Sequence, residues 1–340
     1  MKTVPVQEAV GMVLGHDVTR IVPGEFKGPA FKKGHIIRPE DIEELLKIGK
    51  ENVYVVELQD GFLHENEAAQ RIAGAAAGQG LDLTEPVEGK INLVANRNGL
   101  LKVNADALYE INSKEGMVFA TLHTNQVVAA GQAVGGTRIV PLTIEESRVQ
   151  EVEAICQGNF PLIEIKSLRS FKVGLVTTGN EVFHGRIQDR FGSVVRAKFS
   201  ELGSSVMRQI FVPDSVSLTA GAIRELLEQG ADMIAVTGGM SVDPDDQTPG
   251  GIRAAGAEVV AYGSPVLPGA MFMLAYLGAV PVVGLPGCVM YHKTSIFDLI
   301  IPRLLAGERV RREEIVALGH GGFCGNCREC RYPICPFGKG

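Results

Sequence analysis

From residue 172 onward the chain repeats one pattern: a short apolar run, a loop, then a helical stretch. The apolar runs fall at 172–177, 206–212, 232–237, 257–262 and 280–285. Between or after them lie SVVRAKFSELG, SLTAGAIRELLEQG and YHKTSIFDLIIPRLLAG, which read as helices. Strands alternating with helices of about a dozen residues predict an α/β fold, with a parallel or mostly parallel sheet flanked by helices. Ligands of such sheets sit at the carboxyl ends of the strands, so function is expected in the loops that follow the runs.

The preceding chain reads as α+β. RPEDIEELLKIGK has Pro39 near a first helical turn, Ile42, Leu45, Leu46 and Ile48 on one stripe, and a stop at Gly49. HENEAAQRIAGAAAG predicts a helix whose Ala68, Ala69, Ile72, Ala73 and Ala76 pack closely on a neighbour. INLVANRNGLLKVN sets Asn98-Gly99 between apolar runs, the composition of a tight hairpin turn needing positive φ. IEESRVQEVEAIC has helical spacing and ends before a Gly-Asn-Phe-Pro break. The expected division is an N-terminal α+β region at 1–165, sheet-rich at 88–142, an α/β domain at 166–310 and a cysteine-rich tail at 311–340.

Composition narrows the partners. With 340 residues, 45% of them hydrophobic, the chain can bury ordinary cores. A formal charge of −6 without a long basic run argues against nucleic acid. No stretch approaches the roughly 18 apolar residues of a membrane span, and the first residues lack a basic segment followed by an apolar one. No membrane partner and a cytoplasmic location are expected.

Four loops fall where the α/β pattern puts a ligand: TTGNEVFHGRIQDRFG at 177–192, VPDS at 212–215, TGGMSVDPDDQTPGG at 237–251 and GLPGCVM at 284–290. In the first, Thr178 and Gly179 offer a hydroxyl and amides, while Asn180 and Glu181 offer polar discrimination. In the third, Gly238, Gly239 and Ser241 suit a phosphate, yet Asp243, Asp245 and Asp246 would repel it. Mg²⁺ reconciles the two, because it prefers carboxylate, water and phosphate oxygens. Asp214 precedes a helix and on its own reads as an N-cap or first-turn carboxylate favoured by the helix dipole. His64 and His184 have no metal-ligand partner at useful spacing, and Phe191 and Phe199 read as core.

Taken in order, TTGNEV, Val212-Pro213-Asp214, Thr237-Gly238-Gly239 with Ser241, Asp246 and Thr248, and Leu285-Pro286-Gly287 resemble a known domain. It is the molybdopterin-binding domain of MoaB/Mog type, shared by molybdopterin adenylyltransferases and molybdopterin molybdenumtransferases. VQEAVGMVLGHDVT is similar, more loosely, to the start of the molybdenumtransferases. The resemblance implies molybdopterin or adenylyl-molybdopterin as ligand, molybdate as second substrate, and Mg²⁺-assisted molybdate insertion with AMP release. It also implies that Asp214 and Asp246 serve catalysis or Mg²⁺ binding, and that the chain is able to form a homo-oligomer.

Several positions depart from the family pattern. Asn180 replaces the first acid of TGDE, and Asp243-Pro244 replaces a glycine and an acid. PGAM at 268–271 lacks the usual lysine, and Cys288 stands where asparagine is usual, either as a buried filler or as a thiol near the pterin sulfurs. The small β-domain with which typical molybdenumtransferases end is not expected in this sequence. These departures leave open a non-catalytic molybdopterin carrier or regulatory binding protein. A pyridine-nucleotide-processing enzyme is also open, since related domains in nicotinamide-nucleotide salvage proteins carry TG-N/D-E and GG loops.

Cys324, Cys327, Cys330 and Cys335 form C-x2-C-x2-C-x4-C-P, one residue longer than a bacterial ferredoxin run. The expected occupant is Zn²⁺ or an iron–sulfur cluster, the alternative being reduced or redox thiols beside Arg328 and Arg331.

Overall fold

The computed structural model describes residues 2–22, 26–56, 59–87, 89–241, 243 and 246–340. It divides into two compact units. One comprises Met1–Arg97, Lys102–Thr124 and Ala129–Ile165, the other Asn98–Leu101, Asn125–Val128 and Lys166–Gly340. No helix among the described residues is long and apolar enough to cross a membrane.

The first unit holds a four-stranded antiparallel sheet in the order Met117–Thr121, Ala133–Ile139, Ile91–Ala95, Leu81–Leu83. Helix Glu65–Ala76 buries Ala68, Ala69, Ile72, Ala73 and Ala76, the small face read from the sequence. His64 caps this helix, accepting the Asn66 N–H on Nδ1 at 3.2 Å. Arg71 on the helix donates to Glu153 and Glu146 of helix Glu146–Gly158 at 2.7–2.8 Å.

The hairpin expected at Asn98-Gly99 does not form. Strand Ile91–Ala95 finds its neighbours in Ala133–Ile139 and Leu81–Leu83, while strand Gly99–Val103 aligns Gly99 with Val128 and Leu100 with Val127. Two apolar runs about a turn do not specify a hairpin when each has a better partner elsewhere.

The second unit is built from β1 (Lys172–Thr178), α1 (Asn180–Phe183), α2 (Phe191–Glu201), β2 (Ser205–Val212), α3 (Val216–Glu228), β3 (Met233–Thr237) and α4 (Thr248–Ala254). There follow β4 (Glu258–Tyr262), β5 (Met273–Leu277), β6 (Val280–Leu285), α5 (Cys288–Tyr291), α6 (Ile296–Leu305) and α7 (Arg312–Ala317).

The sheet order is β2-β1-β3-β6-β5-β4. β1 runs parallel to β2 and β3, and β3 parallel to β6, whereas β5 is antiparallel to both β6 and β4. The fold is therefore α/β with a mostly parallel sheet. β5 was not read from the sequence: its apolar run joins that of β6 across Gly278, whose φ of +61° turns the chain in a tight hairpin.

Both faces of the sheet are covered. Val195 and Phe199 of α2 and Phe297, Ile300 and Ile301 of α6 fill one side, and Ile223 and Leu226 of α3 with Ile252 of α4 fill the other. Each fully buried side chain of this size contributes about 1.5–3 kcal/mol of transfer free energy. Val310, Ile315 and Phe337 join the first cluster, so residues 311–340 pack on the α/β core.

Candidate functional site

Because β1, β3 and β6 are parallel neighbours, Thr177, Thr237 and Leu285 lie in register and their loops leave the same sheet edge. The loop after β3 turns through Gly238 at φ +86° and Gly239 at φ +54°. A Cβ on Gly238 would lie 2.1 Å from the Thr178 carbonyl oxygen, so only glycine fits there.

The threonines brace this turn from behind. Thr248 Oγ1 donates to the Gly238 carbonyl at 2.8 Å and is 3.0 Å from Thr178 Oγ1, and the Thr248 N–H donates to the Gly239 carbonyl at 3.1 Å. Thr178 and Thr248 are both buried. Their hydroxyls shape the glycine turn and do not line the cavity in front of it.

That cavity, about 530 Å³, gathers Gly238, Gly239, Ser241, Asp243 and Asp246 from one loop. Pro286, Gly287 and Cys288 come from the loop after β6, and the 267–271 stretch and Phe191 add an apolar wall. Among the described residues lining it there is no lysine or arginine. Asp243 and Asp246 tie their own loop: the Asp246 N–H donates to the Asp243 carbonyl at 2.9 Å, and the Asp243 N–H to Asp246 Oδ2 at 3.1 Å. Asp245, expected from sequence as a third carboxylate, lies outside the described residues.

Sequence reasoning missed two side chains here. Tyr262 donates toward the Met240 and Ser241 carbonyls at 3.1 and 3.3 Å and so holds the aspartate loop. Burial, then the nearby Asp246 charge, pushes its phenol up. No motif contains Tyr262, because it comes from the antiparallel edge strand β4. Phe191, read as core, packs on the core and also reaches the cavity. Phe199 is fully buried core, and His184 is exposed.

Asn180 and Asp214 form a separate reciprocal pair. The Asn180 N–H donates to Asp214 Oδ2 at 3.0 Å, and the Asp214 N–H to Asn180 Oδ1 at 3.4 Å. The cap of α3 is Ser215, whose hydroxyl accepts the Leu218 N–H at 3.4 Å. Gln247 connects this pair's surroundings to the aspartate loop by accepting the Val216 N–H at 3.2 Å. Gly179, Asn180, Glu181 and Asp214 are not among the residues lining the cavity, and Glu181 is exposed.

Among the described residues, no group of three or more His, Cys, Asp or Glu side chains is arranged to hold a metal. For Mg²⁺ this is compatible with Asp243 and Asp246, since Mg²⁺ keeps several waters and binds through one or two carboxylates plus ligand phosphates. The cysteines are all free thiols. Burial pushes the half-buried Cys288 thiol up, with its backbone amide and that of Val289 opposing. It faces the cavity as a protonated thiol at neutral pH.

Comparison with known proteins assigns part of the chain. Residues 3–57 match a domain of unknown function, and residues 174–306 match the family described as "Probable molybdopterin binding domain". A CinA-like protein of Mycobacterium tuberculosis strain H37Ra is 35% identical over 79 residues, 23% of this chain and 18% of that protein. The chain thus spans about a fifth of the length of the curated relatives it matches. Among solved structures, the molybdopterin biosynthesis enzyme MoaB of Thermus thermophilus is 20% identical, covering 41% of this chain and 98% of that one, at a TM-score of 0.33. The tungsten cofactor synthesizing protein MoaB of Pyrococcus furiosus is 20% identical over 42% of this chain and 98% of that one, at 0.34. The matched stretch, residues 174–306, holds the sheet whose strand ends carry the cavity, so the likeness to the "Probable molybdopterin binding domain" family falls on the part of the chain that forms the candidate site.

Proposed function

We propose that the protein acts in molybdenum cofactor biosynthesis, binding molybdopterin or adenylyl-molybdopterin in the cavity at the ends of β3 and β6 and assisting Mg²⁺-dependent molybdate insertion with AMP release. One observation carries the reading. The cavity combines a glycine turn held open by buried threonines with two carboxylates and, among the described residues lining it, no basic side chain. An anionic phosphate is accommodated there only if a cation lies between it and the carboxylates.

In this reading the amides around Gly238, Gly239 and Gly287 and the Ser241 hydroxyl meet the phosphate oxygens, and Asp243 and Asp246 hold Mg²⁺. Phe191, Met271 and Pro286 cover the pterin and exclude water. Mg²⁺, when bound, supplies electron withdrawal from the phosphoanhydride. Asp214, through Asn180, positions the loop after β1. Thr178 and Thr248 act through the glycine turn. The thiophilic occupant of Cys324, Cys327, Cys330 and Cys335 belongs to the same reading and is developed below.

The reading is tested by incubating anaerobic protein with adenylyl-molybdopterin, Mg²⁺ and molybdate and measuring AMP. Release that requires both Mg²⁺ and molybdate supports insertion. Pterin binding without release points to a carrier. Asn180 matches the TG-N-E form of the pyridine-nucleotide alternative, so binding of a pyridine nucleotide in place of pterin overturns the reading.

A further inference from the structure

The tail is docked. Phe337 is buried, Tyr332 stacks edge-on against it at 6.2 Å between ring centroids, and the Tyr332 hydroxyl donates to the Asp298 carbonyl at 3.2 Å. The docking brings Cys324, Cys327, Cys330 and Cys335 around a single cavity of about 350 Å³. Its wall also carries Lys293, Arg328 and Arg331, and no aspartate or glutamate is among the described residues lining it. In a chain of net charge −6, a thiol-lined pocket ringed by cations is electrostatically set for an anionic centre.

We propose that these four cysteines form a tetrathiolate metal site, and that metal loading stiffens the wall of the ligand cavity. Four thiols ligating one Zn²⁺ form four Zn–S bonds, release four protons and leave a centre of charge −2, which the two arginines and Lys293 offset. In the present structure the thiols ring the cavity without converging as ligands. Cys327 and Cys330 are exposed, and they follow the turn at Gly325 and Asn326, the latter at φ +49°. That segment closes on the metal, while Cys324 and Cys335 stay against the core.

Two connections lead from the thiols to the ligand cavity. The Cys324 N–H donates to the Leu267 carbonyl at 2.8 Å, the Leu267 N–H donates to the Gly322 carbonyl at 2.8 Å, and Leu267 lines the ligand cavity. At the other side, the single turn of α5 places Cys288 on the ligand cavity and Tyr291 on the thiol cavity. Only the significance of this stiffening rests on the functional reading above, and its test uses no pterin.

The experiment titrates the reduced, metal-free full chain with Co²⁺ under anaerobic conditions and follows the thiolate-to-cobalt charge-transfer and tetrahedral ligand-field bands. The expected result is saturation at one equivalent, displacement by Zn²⁺, and loss of the bands in Cys327→Ser and Cys335→Ser. Amide hydrogen exchange across 264–272 is expected to slow by about tenfold on Zn²⁺ addition in the parent chain and not in Cys327→Ser. A parallel arm reconstitutes the chain with Fe³⁺, dithiothreitol and sulfide, the ferric iron supplying the oxidising equivalents of the cluster, and a cysteine-dependent sulfide-to-iron absorption identifies the tetrathiolate occupant as a cluster. Cysteine-dependent centres in neither arm overturn the site. A bound metal with unchanged exchange at 264–272 overturns the coupling. Loss of pterin binding alone touches neither.

Discussion

Asn180 and Asp214 hold each other across two strand ends, each backbone N–H donating to the other's side-chain oxygen, at 3.0 and 3.4 Å. Where related domains carry an acid before the glutamate of the first loop, this chain carries an amide. A neutral partner faces the Asp214 carboxylate without repulsion.

Asn180→Asp sets two carboxylates against each other and is expected to lower stability by about 1 kcal/mol at pH 7. The deficit should shrink on acidification, as one carboxylate takes up a proton. Urea unfolding of the parent and variant at pH 7 and pH 4.5 measures the difference, and an equal deficit at both pH values contradicts the repulsion.

Two glycines of the same cavity should respond unequally to alanine. At Gly238 the added Cβ meets the Thr178 carbonyl at 2.1 Å and φ is +86°, so Gly238→Ala is expected to cost about 1–3 kcal/mol and to spoil ligand binding. Gly287 has nothing within 4 Å of its Cβ position and a φ of −53°, so Gly287→Ala should leave stability within about 0.5 kcal/mol. Thermal unfolding of both variants decides it.

Cysteine chemistry gives a pH prediction. Burial pushes Cys156 up to about 11, with the Glu153 charge adding to it, and burial also raises Cys288. A thiol whose ionisation is raised presents less thiolate at a given pH. At pH 8, iodoacetamide labelling read residue by residue should leave Cys156 and Cys288 largely unmodified while the exposed Cys327 reacts. Labelling of Cys288 should increase as pH is raised.

In the first unit, Arg71 joins two helices, and its hydrogen bonds hold the Glu153 carboxyl below the usual range against an opposing effect of burial. The folded value lies below the unfolded value of 4.5, so this stabilisation is present above that pH and is lost as pH falls through the folded value. Arg71→Met is expected to cost about 1–2 kcal/mol at pH 7 and progressively less below pH 4.5. Denaturant unfolding across that window checks the sign.

The alternation of runs and helices made the α/β sheet legible because each crossover must be long enough to contain a helix. β5 was hidden, since Gly278 inside an apolar stretch marks a hairpin only after its two halves pair. Asn98-Gly99 misled for the converse reason: its flanking strands prefer other neighbours. Motif order pointed to the loops after β3 and β6, which line the cavity, and also to Gly179, Asn180, Glu181 and Asp214, which do not, and it gave no sign of which hydroxyls face inward. Thr178 and Thr248 look like ligand donors in one dimension and turn out to face each other. Tyr262 and Phe191 carried no local signal, because Tyr262 holds the aspartate loop only through the packing of β4 and Phe191 reaches the cavity only through the packing of α2. Spacing suggested that the tail cysteines act together, while their placement beside Leu267 and α5 depends on the docking of Phe337.

The most direct measurement is the Mg²⁺ dependence of molybdopterin binding, by calorimetry on the anaerobic full chain and on Asp243→Asn/Asp246→Asn. The account predicts that Mg²⁺ tightens binding by about tenfold or more in the parent chain and has little effect in the variant. Binding of equal strength with and without Mg²⁺, or binding unchanged in the variant, would contradict a cation held between the carboxylates and the phosphate.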